Sequence, residues 1–195
     1  SSLLRVLNGL VDKELSGQIM VQKDVRQAML FQRPHMLRMS VLSNVAMGLW
    51  LNGIAWATAK TRALEALDRV GLAAESTRPA KALSMGQQQR VAFARALAQQ
   101  PNVLLLDEPT ASMDPHAKRE VEALMQAFAS SKNETEMTLI FASHNLGQVK
   151  RLATHVAYLE HGKLMAYLPV DDFFDAEKLR SISPAADAFL KGETT

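Results

Sequence analysis

Runs of apolar residues alternate along the chain with segments that are apolar on one side only. Residues 103–106 and 138–142 are short apolar runs, which predict strands buried on both faces of a sheet. Residues 28–31 predict a third strand, and the alternation over residues 17–23 predicts a fourth. Segments with helical spacing of apolar residues lie between these runs. We therefore predict an α/β fold, in which a parallel sheet is flanked by helices.

A long helical stretch interrupts this alternation between the third strand and the apolar run at residue 103. Residues 40–72 carry apolar side chains at helical spacing and predict two helices, with Leu49 and Leu51 on the buried face of the first. Gly71 is placed to end the second helix. The stretch predicts an inserted α-helical lobe over about residues 33–100.

The two ends of the chain also show regular patterns. The leucines of the first ten residues recur at helical spacing. Residues 155–159 and 163–168 alternate about His161 and Gly162, which predicts a β-hairpin. The remaining aromatic and leucine residues predict short helices packed on the body. Residues 155–195 are thus predicted as a C-terminal hairpin and helices.

Composition narrows the class of protein. A chain of 195 residues with 48% hydrophobic and 22% charged residues fits a globular domain with its own core. The net charge is +2 and no basic stripe stands out, so a nucleic-acid partner is not indicated. The absence of cysteine excludes disulfides and thiolate metal sites. No apolar run approaches the roughly 20 residues that span a bilayer.

Candidate chemistry lies at the predicted carboxyl ends of the strands, where α/β sheets bind ligands. Asp107 and Glu108 end one buried strand, His144 follows another, and Gln32 follows a third. Residues 84–87 open a helix, whose N–H groups and dipole attract anions. Together they favour a site for phosphates and a metal. The alternatives are solvated carboxylates, a structural histidine and an ordinary capped helix.

In this order the motifs resemble those of the nucleotide-binding subunit of ABC transporters over nearly all 195 residues. Gln32 resembles the Q-loop, and residues 83–87 resemble the signature sequence with Met85 in place of a glycine. Residues 103–108 resemble Walker B with the catalytic glutamate. The D-loop and the switch histidine correspond to residues 112–115 and to His144.

The resemblance implies ATP and Mg²⁺ as ligands and gives each residue a role. Asp107 would hold Mg²⁺, and Glu108 would polarise the attacking water. Gln32 would touch the metal or that water, and His144 would contact the γ-phosphate. The remaining residues would act across a dimer. The signature residues Ser84, Gly86 and Gln87 would contact the γ-phosphate of the ATP bound to the partner subunit, and Asp114 of the D-loop would lie at the dimer interface.

The chain departs from the family at its first residues. Ser1 falls where the Ser/Thr of the P-loop pattern G-x-x-x-x-G-K-[ST] should be, and Ser2 continues into the helix. Both would belong to the nucleotide site, with the Ser1 hydroxyl on Mg²⁺. We expect the sequence to be truncated within this motif, and the isolated 195-residue chain to bind ATP poorly and to hydrolyse it negligibly.

The partners follow from the same resemblance. It implies a head-to-tail homodimer that traps two ATP, transmembrane permease subunits, and indirectly a substrate-binding protein. The location would be peripheral, on the cytoplasmic face of the inner membrane. Segments around residues 31–45 and 172–193 are most similar to tungstate-type oxyanion importers, with phosphate and amino-acid importers as alternatives.

Other classes of ABC protein compete with an importer. Only fifty residues separate Gln32 from Leu83, which excludes the long coiled coil of the DNA-repair type, and a single cassette argues against the ribosomal type. A non-catalytic scaffold is the remaining alternative. Intact Glu108 and His144 argue against it.

Overall fold

The computed structural model describes residues 2–11, 18–111, 113–130 and 137–192. This part of the chain divides into two compact units, residues 1–142 and 143–195. Among the described helices, none combines the length and the apolar character needed to cross a bilayer.

The first unit is built on a parallel three-stranded sheet. Its strands are β1 (Gln27–Leu30), β2 (Val103–Asp107) and β3 (Thr138–Ala142), in the order β1-β2-β3. Leu30 pairs with Leu106, and Leu106 pairs with Phe141. Because β2 is central, its three leucines are almost fully buried. The predicted α/β fold with a parallel sheet is confirmed.

In the described residues of this unit, the α-helices are α1 (Ser2–Leu7), α2 (Val41–Leu51), α3 (Trp56–Arg69), α4 (Met85–Leu97) and α5 (Pro115–Ser130). Helices α2, α3 and α4 pack on one another, and α4 also contacts β1 and α5. As predicted, Gly71 follows α3 with a left-handed φ of +67°. Helices thus occupy the predicted lobe, whose limits at residues 33 and 100 stay a prediction.

Three local predictions are wrong. Strand β3 forms as predicted, but none of its residues is buried, and Ile140 is 39% exposed. In the described sheet β3 is an end strand with β2 as its neighbour, so its apolar sequence alone does not give it cover on both faces. Residues 18–23 form no strand, because nothing in the described chain pairs with them and their apolar side chains, such as Met20 at 93% exposure, are not buried; Gly17 lies outside the described residues. Leu51 is 71% exposed while Leu49 is buried. Two residues turn a helix by about 200°, so these side chains cannot share a face.

The second unit contains α6 (Leu146–Leu152), a hairpin and three short helices. Strands β4 (His155–Glu160) and β5 (Lys163–Pro169) are antiparallel, as predicted. Helices α7 (Val170–Phe173), α8 (Ala176–Ile182) and α9 (Pro184–Lys191) follow. Phe173 and Leu179 are the large buried side chains of their common core.

Helix α4 contains a buried polar side chain that lacks hydrogen bonds. Gln89 is fully buried, and neither its Oε1 nor its Nε2 has a hydrogen-bond partner among the residues that the structure describes. Its neighbour Gln88 donates from Nε2 to the carbonyl of Leu83 over 2.9 Å. Buried amides without partners cost about 1–3 kcal/mol.

Replacing Gln89 by methionine is therefore expected to raise the free energy of unfolding by about 1 kcal/mol or more, because methionine fills a similar volume without polar atoms. Gln88→Met is the matched control and should lower it by about 1 kcal/mol, since a hydrogen bond is lost. Urea titrations of both variants measure the two effects. A stability loss in both would contradict the interpretation of Gln89.

Candidate functional site

Asp107 and Glu108 stand at the carboxyl end of the most buried strand. Asp107 is the last residue of β2 and is 3% exposed. Glu108 is half-buried and lies in the left-handed region, with φ at +46°. Its N–H donates to the carbonyl of Ala142 (3.1 Å), and its own carbonyl accepts from Ala111 (3.1 Å). Side chains alternate between the two faces of a sheet only within a strand, so this rule does not apply to Glu108. The strained left-handed turn sets the direction of its side chain instead.

Gln32 lies at the same edge of the sheet. Strands β1 and β2 are parallel and in register at Leu30 and Leu106, and Gln32 follows the end of β1 by two residues. Its side chain is exposed. The structure thus brings Gln32, Asp107 and Glu108 to one edge, as the strand pattern predicted.

The first turn of α4 is closed by a capping box. The Gln87 N–H donates to Ser84 Oγ over 3.3 Å, and the Ser84 N–H donates to Gln87 Oε1 over 3.0 Å. Each side chain thereby satisfies a backbone donor that the helix leaves open. Met85 takes a helical conformation with a half-exposed side chain, so this position does not require glycine. The structure shows the capping role of Ser84 and Gln87; their contact with a nucleotide stays a prediction.

Gly86 is where α4 meets α5. A Cβ built on Gly86 would lie 2.7 Å from Cβ of Ala117, closer than a Cβ atom normally comes to another carbon atom. Gly86 is itself buried. The absence of a side chain therefore lets the start of α4 contact the first turn of α5, and it brings the predicted signature and D-loop segments together. This packing role is additional to the nucleotide contact that the sequence predicts for Gly86.

Asp114 caps α5. Its Oδ1 accepts hydrogen bonds from the N–H groups of His116 (2.9 Å) and Ala117 (3.0 Å), and Pro115 occupies the first helical position. The Asp-Pro pair in the sequence could have indicated this cap. The bond from Ala117, followed by that from His116, lowers the pKa of Asp114 despite some desolvation. The expected place of Asp114 at a dimer seam stays a prediction.

Asp114→Ala is expected to destabilise the protein at neutral pH, and the loss should shrink as the pH falls. A carboxyl whose pKa is lowered in the folded state stabilises above its unfolded pKa, and that contribution disappears as pH falls through the folded pKa. Urea unfolding of wild type and variant between neutral pH and about pH 3 measures the difference. A difference that does not change over this range would contradict the charge-based part of the cap.

The remaining predicted residues are placed less fully. Ser2 begins α1 and is exposed, whereas Ser1 lies outside the described residues, as does Ser112 of the D-loop. His144 belongs to the second unit, two residues along the chain from the end of β3. The roles of Ser2 and His144 stay predictions.

A magnesium ion fits the donor set at the end of β2. Within the described ranges, no three His, Cys, Asp or Glu side chains are grouped to hold a metal. Mg²⁺ is usually held by one or two carboxylates together with phosphate oxygens and water. The Asp107 carboxylate, with the Gln32 amide oxygen at the same edge of the sheet, would supply the protein's share of such a site.

Known proteins are similar to this chain in sequence. The family model described as ABC transporter matches residues 1–111, more than half of the chain. The chain is 34% identical to the methionine import ATP-binding protein MetN of Cereibacter sphaeroides, over all of this chain and 57% of that protein. It is 34% identical to the phosphate import ATP-binding protein PstB 1 of Vibrio cholerae, over 89% of this chain and 70% of that protein.

Solved structures are similar as well. An ABC transporter in an inward-facing conformation matches with a TM-score of 0.77 and 28% identity, over 93% of this chain and 71% of that chain. The cbiO1 protein of Clostridium perfringens, part of the ABC transporter complex cbiONQ, matches with a TM-score of 0.76 and 25% identity, over 97% and 82%. The chain spans about half the length of several of the curated relatives that it matches, 57% and 47% in two MetN proteins. From the family match and these similarities, we conclude that the chain belongs to the ATP-binding domain family of ABC transporters.

Proposed function

We propose that the protein carrying this sequence binds and hydrolyses ATP to power an ABC importer. The observation that carries the proposal is the pair Asp107 and Glu108 at the end of β2, on the same sheet edge as Gln32. Phosphoryl transfer needs mainly positioning and charge stabilisation, and buried strand ends give fixed positions.

Each side chain has a distinct part in the proposed reaction. Asp107 would hold Mg²⁺, which neutralises charge on the phosphates when it is bound. Glu108 would accept a hydrogen bond from the attacking water and orient it, while Gln32 would contact the metal or that water. His144 and the serines Ser1 and Ser2 would complete the subunit's own site, and the partner's signature residues would close it.

The proposed assembly is a homodimer in a membrane complex. Ser84, Gly86 and Gln87 would contact the nucleotide of the second copy, with Asp114 at the seam. Transmembrane permease subunits, and through them a substrate-binding protein, would complete the transporter at the cytoplasmic face of the membrane. The names of the relatives support this, since those proteins are described as import ATP-binding proteins.

Three transported substrates are candidates, and tungstate on one side has support equal to that of phosphate or methionine on the other. The segments around residues 31–45 and 172–193 resemble those of tungstate-type oxyanion importers, whereas the relatives found by comparison are described as methionine or phosphate import proteins. The ATPase does not touch the transported substrate, so its own site does not discriminate. Uptake assays in vesicles with the assembled transporter, offering tungstate, phosphate and methionine in turn, separate the three. ATP-dependent uptake of only one of the three compounds identifies the transported substrate.

Equilibrium binding tests the nucleotide step without requiring hydrolysis. The protein expressed in full from its own gene is expected to bind a fluorescent ATP analogue in the presence of Mg²⁺, and Asp107→Asn should weaken that binding by at least about tenfold, as the loss of a charged ligand implies. Binding that is indifferent to both Mg²⁺ and Asp107 would contradict the proposed site. Binding without hydrolysis would favour the non-catalytic scaffold.

A further inference from the structure

Arg95, in the last turn of α4, contacts the segment that follows Gln32. Its Nη1 donates to the carbonyl of His35 over 3.1 Å, and its Nη2 lies 3.9 Å from Sδ of Met36. Nε and Nη2 donate to the carbonyl and to Oδ1 of Asn44, over 3.3 and 3.0 Å. One guanidinium thus links α4 to the start of α2 and to the chain three residues beyond Gln32. We call this set of contacts among Arg95, Asn44 and residues 35–40 the joint.

Asn44 completes the joint from the other side. It is 1% exposed, and its Nδ2 donates to the carbonyls of Leu37, Met39 and Ser40 over 3.0–3.3 Å. Its Oδ1 accepts the N–H of Leu37 over 2.9 Å as well as the arginine. Every polar atom of this buried amide is therefore used to hold residues 37–40.

The chemistry of the joint requires arginine. Its acceptors in the described structure are carbonyls, an amide oxygen and a sulfur, and burial lowers the pKa of Arg95. A planar guanidinium reaches several acceptors at fixed angles, and it is more weakly hydrated than an ammonium group. Lysine would keep the charge but could not serve the same acceptors at once.

Arg95 lies on the helix whose first turn is closed by the capping box of Ser84 and Gln87. Ser84 and Arg95 are separated by eleven residues, roughly 16 Å along a helix. We propose that Arg95 is a positioning residue that holds the Gln32 segment to the helix that begins with the signature residues. The inference rests on the proposed function for its kinetic consequence. A displacement of Gln32 would then be transmitted to Ser84 and Gln87 through α4 as one body.

Amide hydrogen exchange tests the joint itself. In Arg95→Lys, exchange at Leu37 and Met39 is expected to rise about tenfold or more, since hydrogen bonds to a charged group are lost. Arg90→Lys is the matched control on the same helix, where the arginine instead faces Glu120 and the carbonyl of Val70. It should leave exchange at residues 37 and 39 unchanged. Equal exchange in Arg95→Lys and wild type would overturn the proposal, as would an equal rise in both variants.

A second variant covers a failure of Arg95→Lys to fold. Asn44→Asp keeps the acceptor for Arg95 and Leu37 but removes the donor to three carbonyls, and it should raise exchange over residues 37–40. Kinetics then test the positioning role: in the Gln32→Ala background, Arg95→Lys should cause no further loss in kcat. Additive losses would overturn it. If the protein hydrolyses no ATP, the proposed function fails. The hydrogen-exchange result still shows whether Arg95 holds residues 37–40 in place.

Discussion

Gly86→Ala is expected to destabilise the protein by about 1–3 kcal/mol, the usual cost of overpacking a close contact. The new Cβ would lie 2.7 Å from Cβ of Ala117, whereas Cα of Ala117, at 3.7 Å, is at an ordinary contact distance. The Ala117 Cβ is fixed to its backbone, so it cannot move aside as a flexible side chain would. Helix α4 must therefore shift away from α5, which also displaces Ser84 and Gln87. We expect ATP hydrolysis to fall together with stability, as measured by urea unfolding and by phosphate release.

Gly48 offers a matched control for this substitution. It lies within α2, and its added Cβ would meet only Nε2 of Gln99, at 3.9 Å. Gly48→Ala should raise stability by about 0.4–1 kcal/mol, because alanine has less backbone freedom in the unfolded chain. If both substitutions stabilise the protein, the close packing of α4 on α5 is not as described.

Glu108→Gln is expected to lower the rate of ATP hydrolysis by a factor of about 100 to 10,000, the range that a positioned base contributes. The amide has the same shape but cannot accept a proton from the attacking water. Nucleotide binding and stability should change little, because the backbone at residue 108 is unaltered. The comparison of kcat with the affinity for an ATP analogue separates loss of chemistry from loss of the site.

The strained backbone at Glu108 can be tested separately from its chemistry. Left-handed conformations cost non-glycine residues about 1–2 kcal/mol, and both Glu108 (φ +46°) and Gln100 (φ +52°) adopt one. Gln100→Gly should stabilise the protein by about 1 kcal/mol and leave hydrolysis unchanged. Glu108→Gly should also relieve the backbone strain, but it should abolish hydrolysis because the carboxylate is removed. A loss of ATP hydrolysis in Gln100→Gly would contradict the claim that backbone strain at this position affects stability and not the reaction.

Much of the fold could be predicted because its signals are local. Strands β2 and β3, the helix end at Gly71 and the hairpin at His161 and Gly162 each follow from short patterns that tertiary contacts do not override. The predicted burial of β3 does not follow in this way, because burial depends on what packs around the strand. The strand predicted at residues 18–23 is wrong because alternating apolar residues form a strand only where another strand pairs with them. The predicted burial of Leu51 is wrong because its apolar character does not tell on which side of the helix it lies.

The site could be predicted only as far as strand ends and spacing reach. They place Gln32, Asp107 and Glu108 at one edge, but they do not give the left-handed turn at Glu108. The contact of Gly86 with Ala117 and the joint between Arg95 and Asn44 depend on how helices pack. Residues 44 and 95 are 51 positions apart, and no pattern in the sequence connects them.

The most direct test of the proposed ATPase site is a single-turnover measurement of phosphate release from bound ATP and Mg²⁺, made on the protein expressed in full from its own gene. The wild-type protein should convert its bound ATP to ADP and phosphate. The Glu108→Gln variant should hold ATP with similar affinity and release phosphate at least about 100-fold more slowly. Equal rates of phosphate release in the two proteins would contradict the assignment of Glu108, and with it the ATPase site at the end of β2.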